Sequence, residues 1–253
     1  MTITFLGTGT SHGIPVITCD CEVCRSIDYK DKRLRSSVLI ETGDKNIVID
    51  TGPDFRQQML RERIQSLDAV LFTHQHKDHT AGLDDIRSFN FRDNSEMPIY
   101  ATKEVLEQLK QEYAYVFRKD SYPGVPRVNS NSISIEPFTI GKTKVRPIQV
   151  WHHKLPVLGY RINDFTYITD ANRIEKSELA KIKGSKVLVL NALRKTPHIS
   201  HFSLDEAIEM AQKADVQMTY LTHFSHDIGK HRVVSHELPD NVRLAYDGLK
   251  ISL

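Results

Sequence analysis

Short runs of apolar, mostly β-branched residues recur from one end of the chain to the other. They begin with TITFLG from Thr2, SSVLIETG from Ser36, NIVID from Asn46 and AVLFTH from Ala69. SISIEPFTI, KVRPIQV, FTYITD, KVLVLNAL, MTYLTH and VRLAYDGLKISL follow. Several are almost continuously apolar, the pattern of strands covered on both faces rather than on one. Amphipathic helical patterns lie between them. One starts at Pro53, where proline suits a first helical turn, and another covers KEVLEQLKQEYAYVF from Lys103. A third opens at SLDE, where Ser203 and Glu206 have capping-box spacing. The interleaving continues to the last residue without a linker, which predicts one α/β domain over residues 1–253. RKDSYPGVPRVNSNS, from Arg118 to Ser132, reads as a loop, either a plain surface connection or a lid over a pocket.

All three cysteines lie in CDCEVC, residues 19–24. At this spacing a disulfide would close a very tight loop and leave one thiol over, so Cys19, Cys21 and Cys24 read as three ligands of a tetrahedral zinc site. Clustered reduced thiols and a start without a basic or long apolar leader point to the cytoplasm. Apolar runs reach only about five residues, far short of the ~20 that span a bilayer. A formal charge of +2 sets up no strong field for nucleic acid or membrane, so composition does not ask for either partner.

The strand AVLF runs through Thr73 into HQHKDH. His74 and His76 project to one side of an extended segment, and Asp78 and His79 follow where a helix begins. Three imidazoles and a carboxylate in six residues form a metal-binding arrangement. Further candidates stand at later strand ends: His152 and His153 after PIQVW, Asp170 after FTYIT, and His223 after MTYLT. Asp170 is the natural bridge between two metals, because a carboxylate has two oxygens to share.

This order of ligands strongly resembles the metallo-β-lactamase superfamily, from TFLGTG to LAYDGLKISL. The resemblance implies an αββα sandwich of two mixed sheets flanked by helices. It further implies that His74, His76 and His152 hold one metal and that Asp78, His79 and His223 hold the other, with Asp170 between them. His152 is preferred to its neighbour His153 because the first histidine of HHKL aligns with the family position. Asp50, ending NIVID, matches the aspartate that orients ligands from behind.

Within the superfamily, CDCEVC after LGTGTSHGIP closely resembles the PhnP-type phosphodiesterases. That resemblance makes His226, three residues after His223, the fourth ligand of a structural zinc. It makes His201, in HISHFSLDEA, the group that protonates the leaving oxygen or stabilises charge on the phosphate. His198 is the competing candidate. Asn191 departs from the pattern, standing where an acidic residue is expected. GTGTSHG reads as a tight turn, with His12 a lesser candidate for touching substrate. His231 and His236 read as surface residues, Arg87 and Arg92 as solvated, and Tyr113, Tyr115 and Phe117 as packing residues.

The implied activity is metal-dependent hydrolysis of small phosphodiesters, including cyclic phosphates of ribose, by a hydroxide bridging two Mn²⁺ or Zn²⁺ ions. Asp78, Asp170 and His201 are the residues expected at the chemistry. A homodimer would be common for such folds. The alternatives are a tRNA 3′-processing nuclease and a non-catalytic metal-binding module. The first is disfavoured because Asp170 lies only 18 positions after His152, too close for a tRNA clamp. The second is disfavoured because every ligand position is filled. A PqqB-type relative shares the cysteine loop, but the intact H-x-H-x-D-H argues against it.

Overall fold

The computed structural model describes residues 1–118 and 122–253. It contains two seven-stranded mixed sheets packed face to face. The first holds β1 (Thr2–Gly7), β2 (Ser37–Glu41), β3 (Asn46–Ile49), β4 (Ala69–Leu71), β5 (Met97–Ala101), β6 (Val128–Ser132) and the last strand, β14 (Lys250–Ser252), which lies beside β1. The second holds β7 (Phe138–Ile140), β8 (Thr143–His152), β9 (Leu155–Ile162), β10 (Phe165–Tyr167), β11 (Val187–Asn191), β12 (Met218–Thr222) and β13 (Val242–Leu244). In each sheet, antiparallel pairing gives way to parallel pairing: β3–β6 are parallel in the first and β10–β13 in the second.

The near-continuous apolar strands are explained by three buried layers. Ile47, Ile49, Ala69 and Leu71 face the second sheet, where Tyr160, Ile162, Phe165 and Val189 meet them. Val48 and Val70, on the opposite face, pack under the first helical layer. Leu188, Leu190 and Leu221 do the same on the far side of the second sheet. The first layer is α1 (Phe55–Glu62), α2 (Lys77–Thr80), α3 (Arg87–Asp93), α4 (Lys103–Glu112) and α5 (Ala114–Phe117). The second is α6 (Lys176–Ile182), α7 (Leu204–Ala214) and α8 (His231–Ser235). The expected capping box is present at α7, with Ser203 and Glu206 satisfying each other's backbone N–H groups.

Five local expectations are corrected. The helical pattern from Lys103 is broken at Tyr113 into α4 and α5. Tyr113 is buried, and its hydroxyl donates to the Thr80 carbonyl behind α2. Residues 128–132, read as loop, form the edge strand β6. The open side of β5 supplies its backbone partners, and the Asn90 amide clamps Arg127 just before it through two bonds of 2.9 Å. An edge strand with one free side tolerates such polar residues. Lys119, Asp120 and Ser121, within the same proposed loop or lid, lie outside the described residues. SISIEPFTI yields only β7 at its end, and VRLAYDGLKISL splits into β13 and β14, which join different sheets. Finally, His231 is not a surface residue. It is buried with Nδ1 against Nη2 of Arg33 at 3.1 Å, while His236 is exposed as expected. No helix among the described residues is long and apolar enough to cross a membrane.

Candidate dinuclear metal centre

Parallel strands point their C-terminal ends the same way, so loops far apart in sequence meet on one rim of the sandwich. β4 delivers His74 and His76, and α2 delivers Asp78 and His79. β8 ends in His152, while Asp170 and His223 follow β10 and β12. Asp50, Asp170 and His223 have left-handed φ values of 65°, 52° and 60°. Such backbone costs an ordinary residue roughly 1–2 kcal/mol, which packing must offset. It turns the chain sharply at the strand end.

Asp50 is the organiser. One carboxylate oxygen accepts from the Thr73 N–H at 2.8 Å. The other accepts from the Thr73 hydroxyl at 2.8 Å and from Nδ1 of His79 at 2.7 Å. Because Thr73 gives its proton to Asp50, the 3.0 Å contact from His74 Nδ1 to the Thr73 oxygen is donated by the ring. Both histidines therefore turn an unprotonated Nε2 into the centre when neutral. His152 is fixed alike, donating from Nδ1 to the Ser200 carbonyl at 2.8 Å. Its neighbour His153 is exposed and joins none of the ligand groups found among the described residues, whereas His152 joins one.

Oδ2 of Asp170 lies 3.1 Å from Nε2 of His79 and 3.2 Å from Nε2 of His223. Asp78 Oδ2 lies 3.2 Å from the same atom of His79. These nitrogens nonetheless form no hydrogen bond among the described residues, and neither does Nε2 of His74. Buried polar atoms are rarely left so. Atoms arranged tetrahedrally about 2.0–2.1 Å from one cation lie about 3.3 Å apart, so the spacing fits a shared divalent ion. The donor set, nitrogen and carboxylate oxygen, suits Zn²⁺ or Mn²⁺.

The ligand atoms gather as Asp78, His79, Asp170 and His223 in one group, and as His152, Asp170 and His201 in another. The first matches the set expected for one metal. The second differs from the expected His74, His76 and His152: His201 takes part, its Nε2 3.1 Å from Asp170 Oδ1. His74 and His76 pack alongside, with ring centroids 5.9 and 5.3 Å from that of His152. Asp170 thus presents one oxygen to each group. Burial alone would raise its carboxyl pKa, but His223 and His79 outweigh burial and hold it well below the usual range. His79 is shifted the other way: burial disfavours its charge, but Asp78, Asp170 and Asp50 raise its pKa well above the ordinary value.

Thr73 and Ser200 serve the centre without a sequence signal of their own, and Asn191, flagged by its departure from the family pattern, joins them. Thr73 links Asp50 to His74. Ser200 holds His152 through its carbonyl, and its hydroxyl lies 3.0 Å from His201 Nδ1. Asn191 accounts for the departure from the family pattern. Its Oδ1 accepts from Ala171 N–H at 2.8 Å and its Nδ2 donates to the Ala171 carbonyl at 2.9 Å, beside Asp170. An ionised acid has no proton for the second bond. His198, the competitor of His201, stands one step out, 3.3 Å behind it.

A second cluster lies close by along the chain. Sulfurs of Cys19, Cys21 and Cys24 stand 3.2, 3.4 and 3.5 Å from Nδ1 of His226. About 3.5 Å is the separation expected for sulfur and nitrogen on one tetrahedral zinc. Backbone N–H groups of Val16 and Cys24 point at the sulfurs of Cys24 and Cys21. Burial would raise the Cys21 thiol, but the Cys24 N–H and His226 bring it down to about 6, whereas burial pushes Cys24 up to about 11. The glycine-rich N-terminal loop holds the connecting segment. Phe224 exchanges backbone hydrogen bonds of 2.9 Å with Thr8 and Thr10, and the Arg33 guanidinium stacks 4.4 Å over its ring. His12 is exposed.

The beta-lactamase superfamily domain profile matches residues 45–224. A crystal structure of a new diphosphatase from the PhnP family is 38% identical, with a TM-score of 0.93, covering 100% of this chain and 97% of that one. The chain therefore belongs to the metallo-β-lactamase superfamily of metal-dependent hydrolases and, within it, to the PhnP family. Zn²⁺-bound PqqB from Methylobacterium extorquens shares the fold at 19% identity, with a TM-score of 0.79 and full coverage of both chains. An octanoyltransferase from Porphyromonas gingivalis is 40% identical over 248 residues, 97% of this chain but 50% of that protein. The chain spans about half the length, or less, of the curated relatives it matches.

Proposed function

We propose that this chain works as a single domain that hydrolyses small phosphodiesters, cyclic phosphates of ribose among them, with two divalent cations of the Mn²⁺ or Zn²⁺ type. The carrying observation is Asp170, whose two oxygens face two ligand groups at once. His74, His76, His152, Asp78, His79 and His223 complete the cradle, while Cys19, Cys21, Cys24 and His226 hold a structural zinc. Bound in such a cradle, a metal pair activates a water and neutralises phosphoryl oxygens.

The protein's own groups supply orientation and a proton. Asp50 keeps the His79 ring aimed inward, and the Ser200 carbonyl does the same for His152. His201 stands beside Asp170 with its second nitrogen on the Ser200 hydroxyl, a position from which it can protonate a departing alkoxide. Acid assistance to so poor a leaving group contributes roughly 10²–10⁴-fold. A second reading is supported by the 38%-identical relative, which is a diphosphatase: the scissile bond would then join two phosphoryl groups. The tRNA-processing alternative gains no support, since β9 and β10 fill the interval from His152 to Asp170.

The test is turnover by Mn²⁺-reloaded protein of a 2′,3′-cyclic nucleotide and a nucleoside diphosphate ester, with His201→Ala as comparator. Cyclic-ester hydrolysis that collapses in the variant supports the first reading. Cleavage of the diphosphate alone moves the assignment to the second. Inactivity toward both, with both cations bound, would sink the phosphoryl-transfer proposal.

A further inference from the structure

We propose that the outer face of the second sheet carries a separate oxyanion site, formed by Lys144, Arg146, Arg161 and Asn163. Its ligand is phosphate, either free or as the phosphoryl group of a small molecule.

The starting observation is an unfavourable pairing. Arg146 on β8 and Arg161 on β9 are direct cross-strand partners. Like charges placed opposite each other destabilise a sheet. Lys144, two residues before Arg146, adds a third cation to the same face. The chain as a whole has a formal charge of only +2, so this concentration is local. None of the three lies within ion-pair distance of a carboxylate among the described residues, and Asp164 nearby is paired with Lys186 at 3.0 Å.

The guanidinium of Arg161 is also held in place. Its Nε donates to the Asn163 carbonyl at 3.0 Å, and its Nη1 to the carbonyls of Lys181 and Lys183 at 2.8 and 2.6 Å, at the end of α6. Nη2 makes no hydrogen bond among the described residues. Burial, and then the neighbouring Arg146, lower the Arg161 pKa. A fixed arginine with a free edge, facing two further cations, is suited to a tetrahedral oxyanion.

Size limits the ligand. The cavity these four residues line is about 230 Å³. That is below the roughly 300–1,000 Å³ of sites for larger organic ligands, and it matches a group the size of phosphate. Position separates it from the metal centre. Arg146 is six residues from His152 on one strand, about 20 Å at the usual rise.

The test is calorimetric titration of the metal-loaded protein with inorganic phosphate and, separately, ribose 5-phosphate at constant ionic strength. The comparator is Lys144→Gln/Arg146→Gln, which keeps both positions polar and removes their charge and the like-charge repulsion. Wild type should bind with a component that weakens at least about tenfold in the variant, since charge-assisted hydrogen bonds are lost. The variant should melt no lower than wild type without anion and should keep its turnover at the metal centre. Loss with either probe supports the site and identifies which form of phosphate enters. Equal affinity in both proteins for both probes, or heats that sodium chloride reproduces, would overturn it. Failure of the hydrolase reading would leave this result untouched.

Discussion

Two groups of ligand side chains flank the short segment from His223 to His226, and they are built in opposite ways. The sulfur cluster takes three of four ligands from six consecutive residues, in a loop that is partly exposed. The nitrogen and oxygen centre draws on loops after β4, β8, β10 and β12, with Asp50 behind them, and much of it is buried. Thiolates bind zinc strongly enough to organise a loop by themselves, as zinc fingers do. Imidazoles and carboxylates need the fold to converge first, and buried carboxylates are costly until a cation meets them. The first cluster is therefore suited to stabilising structure, the second to holding an open metal site.

The strongest way to break this contrast is Asp170→Ala. Both cations of the open centre should be lost and turnover should fall well beyond the roughly 10–100-fold typical of mutated outer partners, while zinc stays at one per chain by elemental analysis. Loss of zinc as well would mean that the two clusters are one cooperative unit. Cys21→Ser makes the converse cut. Zinc should leave and the melting temperature should fall, with the two other cations still binding when added back. Asp50→Asn should cost about 10–100-fold in metal affinity, because it weakens the hydrogen bond to His79 without replacing a proposed ligand.

A smaller effect concerns what lies behind the segment from His223 to His226, where Arg33 stacks over Phe224 and meets His231. His231 is held down to about 4, first by burial and then by Arg33. Its folded pKa lies below the unfolded value of 6.5, so its contribution is full above that pH and is lost as pH falls toward 4. Asp247 has the opposite sign, because burial raises its carboxyl to about 6. Its contribution is full below 3.8 and is lost as pH rises through about 6. The melting-temperature gap between wild type and His231→Gln should therefore be widest near pH 7 and narrow toward pH 4. A gap that is constant with pH would assign His231 to packing alone.

The parts of this architecture that were legible in the sequence are those with local causes. Buried strands such as NIVID show in their unbroken apolar character, and the α7 cap shows in the Ser203–Glu206 spacing. The H-x-H-x-D-H run announces a metal site because it places four candidate ligands within six neighbouring residues. Polar edge strand β6 leaves no such signal, because its pairing comes from the open side of β5 and not from its own side chains. The burial of His231 is equally silent in its neighbours, because its partner Arg33 lies nearly two hundred residues away.

The sequence by itself determined the composition of the centre, its likeness to the PhnP family and the local nucleus of the cysteine cluster. Only the tertiary structure decided that His152 rather than His153 turns inward, that His201 reaches Asp170, and that Ser200 and Asn191 hold the loops in place. The physical reason is that hydrogen bonds and ligand spacings are set to tenths of an ångström by contacts between distant strands. Hydrophobic patterning records which face of a strand is buried, and it carries no information about which distant loop will arrive beside it.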